Sequence, residues 1–238
     1  MPEIEIVLVQ PLYEGNIGFT ARAMKNFGFT RLVLVDPCEI GDDAIARASH
    51  ARDVLENAER MSLREVYDRS DLVVATTGEL SKSVCTSMRM PYYRPSEIGS
   101  ILEGADGRVS ILFGRENWGL NNEEVSRADL ICTIPTSEIY PILNLSHAVA
   151  IVCSELAAIP RGTYRLAGKI EREALIEHFG SFLERIEHPE HKRSNTLLMM
   201  RRIFGRTALT TREVSTLHGL LRRAEWHLDH RDTENDNI

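Results

Sequence analysis

Four stretches of this chain combine glycine, proline and small polar residues in a way that exposes backbone groups to a ligand. Pro11-Leu12-Tyr13-Glu14-Gly15-Asn16-Ile17-Gly18 runs toward Arg22, and Thr76-Thr77-Gly78 is the second stretch. Phe113-Gly114-Arg115-Glu116-Asn117-Trp118-Gly119-Leu120 is the third, and Pro135 to Leu145 the fourth. None of the four is a standard nucleotide loop. Gly15-Asn16-Ile17-Gly18 is not G-x-G-x-x-G, and no G-x-x-x-x-G-K-[ST] occurs, so NAD and ATP readings lose their main support. One such stretch alone would read as a turn.

Their placement in the fold gives the four a joint meaning. IEIVLV (4–9), RLVLVD (31–36), DLVVATT (71–77), VSILFG (109–114) and LICTIP (130–135) are short apolar runs of strand type. Between them, Asn16 to Phe27 predicts a helix stopped by Gly28, and residues 42–60 are helical in pattern. Asn121-Asn122-Glu123-Glu124 opens another helix, and Asn144 to Ala158 is an apolar one. Such alternation predicts an α/β fold with a mostly parallel sheet and helices on both faces. In open sheets of this kind ligands bind beyond the carboxyl ends of the strands, where all four stretches fall.

Pro160, Gly162 and Gly168 mark a linker at 159–170, between a domain at 1–158 and a helical region at 171–238. Thr210-Thr211-Arg212-Glu213 fits a capping box for a helix burying Val214, Leu217, Leu221 and Leu228. The tail after Asp229 is polar.

A chain of 238 residues, 43% hydrophobic and 26% charged, suits one domain with an appendage. No stretch approaches the ~20 apolar residues of a membrane span. MPEIEIVLVQ reads as a strand, not a signal peptide, which with four scattered cysteines (Cys38, Cys85, Cys132, Cys153) fits a reducing cytoplasm. The pairs His188/His191 and His227/His230 lack a supporting constellation, so no metal site is expected. The net charge of −7 hides an asymmetry. Between residues 192 and 223, eight basic residues face only Glu213, so that stretch carries +7 and the remainder −14. This is either a basic face for a polyanion or a solvated helical surface.

Three of the stretches resemble the motifs of the SpoU branch of the SPOUT RNA methyltransferases. Asn16 to Arg22 matches N-x-G-x-x-x-R, and Phe113 to Leu120 matches F-G-x-E-x-x-G-L. Ile134-Pro135, followed by Leu143-Asn144-Leu145-Ser146-His147-Ala148-Val149-Ala150, resembles the third motif. They occur in family order and spacing over about residues 5–157. The helical region is similar to that of the TrmJ group of tRNA methyltransferases, without a sharp motif of its own.

The resemblance implies a SPOUT fold with a C-terminal trefoil knot, followed by a small helical extension. Physical reasoning alone would not propose a knot, since threaded loops are rare. It implies S-adenosylmethionine as cofactor, held by Thr76, Thr77, Gly78, Gly114, Glu116, Ile134, Pro141, Ile142, Leu143 and Asn144. It implies catalysis by Arg22 with Asn16, in a homodimer whose site is completed near the interface; the helix at 144–158 would contribute to that contact. A guanidinium stays protonated, so Arg22 is expected to grip a phosphate and stabilise developing alkoxide charge. The implied reaction is methylation of a ribose 2′-hydroxyl of tRNA, cytidine or uridine at position 32 of the anticodon loop. Lys192, Arg193, Arg201, Arg202 and Arg206 would then contact phosphates. Alternatives are a ribosomal RNA methyltransferase and a non-catalytic RNA-binding scaffold. One departure stands out: Ile142 occupies the place of a family serine, which leaves base preference open.

Overall fold

Strand β1, Glu3–Val9, shows why the sheet lies in the middle of the molecule: both its faces are covered. Ile4, Ile6 and Leu8 enter one apolar cluster, while Val7 and Val9 enter another. The same period-two division holds for β2 (Leu32–Val35): Leu32 and Leu34 face the first cluster, Val33 and Val35 the second. A strand covered on both sides needs no polar alternation, so it appears in sequence as a continuous apolar run. These are the runs from which the strands were predicted.

The computed structural model describes residues 2–78, 91–103, 105–157 and 164–235. Cys85 and residues 159–163 of the expected linker lie outside the described residues. After β2 come β3 (Glu59–Arg60), β4 (Leu72–Thr76), β5 (Tyr92–Tyr93), β6 (Ala105–Asp106), β7 (Arg108–Phe113), β8 (Leu130–Cys132) and β9 (Tyr164–Arg165). Seven strands form a wholly parallel sheet in the order β3-β2-β1-β7-β4-β8-β5. The chain runs outward from β1 through β2 to β3, then crosses to β4 on the far side of β7. The topological switch therefore lies around β1, β7 and β4. The exits of β1, β4, β7 and β8 lie at this one end, as the sequence reading requires.

Helices α1 (Glu14–Asn26), α2 (Asp42–Ala48), α3 (Arg52–Glu56), α4 (Leu63–Arg69), α5 (Pro95–Leu102), α6 (Asn122–Ser126) and α7 (Leu145–Leu156) cover the sheet. Ser62 caps α4 through a capping box with Glu65. The expected helix over 42–60 is interrupted. Ser49 takes a φ of 50°, and Lys25 reaches across to the His50 carbonyl at 2.9 Å, so helix resumes only at Arg52. Helix α1 lies against α2 through Gly18, where a Cβ would stand 2.2 Å from the Ala44 carbonyl oxygen. Tyr92 and Tyr93 pair with β8 as an edge strand.

From residue 164 onward, β9 pairs in parallel with β6, and Leu166 and Ala167 are buried. This half of the 159–170 segment is thus tied down. Helices α8 (Lys169–Arg185), α9 (Glu190–Thr207) and α10 (Thr211–Asn235) share a core of Leu175, Ile176, Phe204, Leu209, Val214 and Leu221. Thr210 and Glu213 form the anticipated pair at the start of α10. The bundle is fastened to the sheet domain by buried charge. Arg172 pairs with Asp129 at 2.5 Å, and Arg202 donates to the carbonyls of Val125 and Ala128 at the end of α6. Gly205 makes room for this contact, since a Cβ there would meet the Asp129 carbonyl oxygen at 2.4 Å.

Candidate active site

At the carboxyl end of the sheet three of the four strand exits enclose a cavity of about 310 Å³, and the β1 exit borders a separate shallow groove beside it. Thr76, Thr77 and Gly78 follow β4; Gly114 to Leu120 follow β7; Ile134, Thr136, Pro141, Ile142 and Leu143 follow β8. Leu145 and Ala148 of α7 close the wall. The volume is at the lower end of the range for small-molecule sites. Two glycines shape it: a Cβ at Gly78 would lie 2.9 Å from Ile142 Cδ1, and one at Gly114 would lie 2.2 Å from the Gly119 backbone. Thr76 Oγ1 donates to the Leu112 carbonyl at 2.8 Å, and Thr136 Oγ1 to the Pro141 carbonyl at 2.8 Å, fixing the loops on either side. Burial pushes the Cys132 thiol up to about 12, so this part of the wall is neutral and weakly polar.

Beside the cavity, hydrogen bonds join residues from all three motifs. Ser146 donates from its backbone N–H (2.9 Å) and its hydroxyl (2.8 Å) to Asn144 Oδ1. Asn144 Nδ2 donates to Asn16 Oδ1 at 3.0 Å, and Asn16 Nδ2 donates to Glu116 Oε1 at 2.8 Å. The other carboxylate oxygen accepts the Leu12 N–H at 2.9 Å. Every donor in this relay points toward one anion, so each bond polarises the next. Residues 16, 116 and 144 are far apart in sequence but form one unit here. Asn144 also caps α7, which ties the direction of that helix to the same unit.

The β7 exit has a second support, which the sequence reading did not identify. Arg115 is buried and holds Glu124 through two bonds of 2.8 and 2.9 Å. Its Nε donates to Gln10 Oε1 at 2.8 Å, and its Nη1 to the Gly119 carbonyl at 3.3 Å. Glu124 in turn belongs to the capping box of α6 with Asn121. Gly119, at φ +70°, lets the loop fold back over this ion pair. The Trp118 indole lies over the guanidinium at 4.1 Å to the ring centroid. No spacing rule in the sequence separates Arg115 from a solvated arginine; only its place inside the second motif marks it.

Other expected site residues stand elsewhere. Arg22 is exposed on α1 and lines neither this cavity nor the shallow groove next to it, which Tyr13, Glu14, Asn16, Phe19 and Arg47 border. Helical spacing sets Arg22 beside exposed Phe19, away from Asn16. The expected phosphate contacts divide sharply. Arg202 is only 3% exposed, and burial pulls its guanidinium down to about 10. Its expected role is therefore corrected: a side chain occupied by the α6 carbonyls cannot meet RNA in this conformation. Arg201 is paired with Glu173, and Arg193 donates to the His188 carbonyl and faces Glu184 at 3.5 Å. Lys192 and Arg206 are exposed without an ion pair among the described residues, as are Arg212, Arg222 and Arg223. Among the described residues no group of three or more metal-ligating side chains gathers, and no helix is long and apolar enough to cross a membrane.

Residues 3–154 match the family described as the SpoU rRNA Methylase family. The chain belongs to the SpoU methylase family. Among SpoU-type relatives, the tRNA (cytidine-2′-O-)-methyltransferase TrmJ of Methanocaldococcus jannaschii is 37% identical over 223 residues, covering 90% of this chain and 96% of the relative. The tRNA (cytidine/uridine-2′-O-)-methyltransferase TrmJ of Escherichia coli K12 is 32% identical, covering 94% and 96%. The crystal structure of TrmJ from Z. mobilis superposes with a TM-score of 0.70 at 30% identity, covering 94% of this chain and 99% of that one. The resemblance to the relatives thus includes the helical extension as well as the SpoU domain.

Proposed function

We propose that this chain methylates the ribose 2′-hydroxyl of tRNA, on cytidine or uridine at position 32 of the anticodon loop, using S-adenosylmethionine. The observation that carries this reading is the relay Ser146–Asn144–Asn16–Glu116 beside the cavity. Its residues come from the three motifs, and nothing in the packing of the sheet alone calls for them to meet. The names of the M. jannaschii and E. coli relatives supply the substrate class.

The cavity fits the cofactor. Ile134, Ile142 and Leu143 offer an apolar face for a purine, and the glycines at 78 and 114 clear space along backbone that can bind its polar edge. S-Adenosylmethionine would supply a methyl group on a sulfonium centre. With the cofactor bound, the ribose oxygen would take the methyl as the carbon–sulfur bond breaks, leaving the sulfur as a neutral thioether and the hydroxyl proton to solvent. Holding the hydroxyl in line with the methyl provides much of the rate. The relay fixes the 116 and 144 loops that border the reacting region.

Arg22 would hold the phosphate next to the target ribose and stabilise charge on its oxygen. Its outward place on α1 favours a homodimer in which the site is completed across the interface. Exposed Phe19 on α1 and Ile151 on α7 would lie in that contact. The trefoil knot and a cytoplasmic location belong to the same reading. For the RNA surface, Lys192 and Arg206 remain from the original set, and Arg212, Arg222 and Arg223 join them.

The test is to incubate the protein and its Arg22→Ala variant with labelled S-adenosylmethionine and unmodified tRNA, then map the modified nucleotide. Ribose methylation at position 32, lost in the variant, is the expected result. Transfer to ribosomal RNA alone would replace the substrate, and cofactor binding without transfer to any RNA would refute catalysis.

A further inference from the structure

A nucleotide that turns out of its stack to bring its 2′-hydroxyl to a buried site loses the partners of its base, and the base then gains from a new stacking surface. The cavity mouth offers several exposed apolar side chains, among them Tyr140, Ile142 and Trp118. Trp118 alone of these three has a ring contact with another side chain among the described residues. One face of its indole rests on Arg115, 4.1 Å from the guanidinium carbon to the ring centroid. Arg115 is itself held by Glu124, Gln10 and the Gly119 carbonyl. The residue is nevertheless 56% exposed. A flat aromatic surface that is already immobilised loses little freedom when a second ring settles on it.

The location agrees with this use. Trp118 lines the cavity, and it lies two residues beyond Glu116, the anion on which the relay ends. A charge-paired arginine behind the ring explains why a large apolar side chain sits at a wet rim. Leu120, two residues further on, is buried in the core, whereas Trp118 is left at the rim. We infer that Trp118 is the platform on which the base of the target nucleotide stacks, so that it positions the ribose over the cavity. This rests on the reading of the site as a ribose methyltransferase.

The chain has two tryptophans, so Trp226→Phe leaves Trp118 as its sole tryptophan reporter. In that background, the emission of Trp118 is expected to be quenched when an RNA stem-loop binds. Trp118→Ala should raise the KM for the stem-loop by about tenfold or more, as loss of one stacked base implies. The dissociation constant for S-adenosylmethionine should change far less than the KM, and Trp118→Phe should recover most of the loss. The deciding substrate is a stem-loop made abasic at the nucleotide that the wild-type protein methylates, which keeps the 2′-hydroxyl and lacks the base. Trp118→Ala should make no difference to its binding. Equal weakening of both RNAs, cofactor affinity falling in step with KM, or no change in KM would each overturn the inference while leaving the proposed function intact. A wild-type protein that methylates no RNA would overturn the proposed function itself.

Discussion

The relay can be broken in two ways, by removing the Asn16 amide or by exchanging its one nitrogen for oxygen. Asn16→Ala removes a hydrogen bond to a carboxylate and another to an amide. Bonds of these kinds contribute about 1.5–3 and 0.5–1.5 kcal/mol, so the loss should be about 2–4 kcal/mol. Asn16→Asp keeps an acceptor for Asn144 but places a carboxylate oxygen where Nδ2 stands 2.8 Å from Glu116 Oε1. Two unit charges about 3 Å apart repel by roughly 5 kcal/mol at an effective dielectric of ~20. Keeping a carboxyl group with an ordinary value of ~4.3 protonated at pH 7.5 costs about 4 kcal/mol, so the pair escapes by sharing a proton. The folded variant then binds a proton that the unfolded chain has released. Its carboxyl value is raised by folding, so the stability is fully present below ~4 and is lost as pH climbs through the raised value. Between pH 7.5 and 5 the variant should regain about 3 kcal/mol, at ~1.4 kcal/mol per pH unit. His218 also titrates near this range, because burial and the facing His178 hold its ring below the ordinary histidine value. That background is common to both variants and cancels in their difference. Urea denaturation followed by tryptophan emission would measure it. If Asn16→Asp were no less stable than Asn16→Ala at pH 7.5, or their difference did not change with pH, the Asn16–Glu116 contact would not be the one described.

The buried and exposed arginines of α9 should separate cleanly. Arg202→Ala strands the α6 carbonyls and should destabilise the fold by about 3–5 kcal/mol in thermal or urea unfolding. Arg206→Glu should change stability by less than about 0.5 kcal/mol yet weaken tRNA binding, with a deficit that shrinks as salt rises. Gly114→Ala would drive a Cβ into the Gly119 backbone at 2.2 Å and should abolish measurable S-adenosylmethionine binding in calorimetry, whereas undiminished affinity would remove the cavity from cofactor binding.

The sheet was legible in the sequence because its strands are buried on both faces, and such strands leave apolar runs that no loop would carry. What escaped was fixed by contacts between distant residues. The short strands β3, β5, β6 and β9 have two residues each, too few for any period to register. The break at Ser49 depends on Lys25 reaching a carbonyl from another helix. Helices α4 and α5 did carry local signals, a Ser62–Glu65 pair and Pro95 at the first turn, which the reading passed over.

The two ends of the chain contrast most in how charge was read. Around residues 192–223 the sequence shows a block of positive charge, and composition treats all eight cations alike. The fold does not: Arg202 caps α6 and Arg201 is paired with Glu173, while Arg206, one helical turn further on, is exposed. Burial of a guanidinium costs so much that it occurs only where carbonyls or carboxylates are waiting, and those of Arg202 lie 74 and 77 residues earlier in the chain. The motifs at the other end behaved differently because their residues serve one another. Asn16, Glu116 and Asn144 are polar side chains whose partners are each other, so a pattern that keeps all three keeps the relay as well. A polar residue whose partners belong to the same pattern can be placed from sequence; one whose partners are ordinary backbone elsewhere cannot.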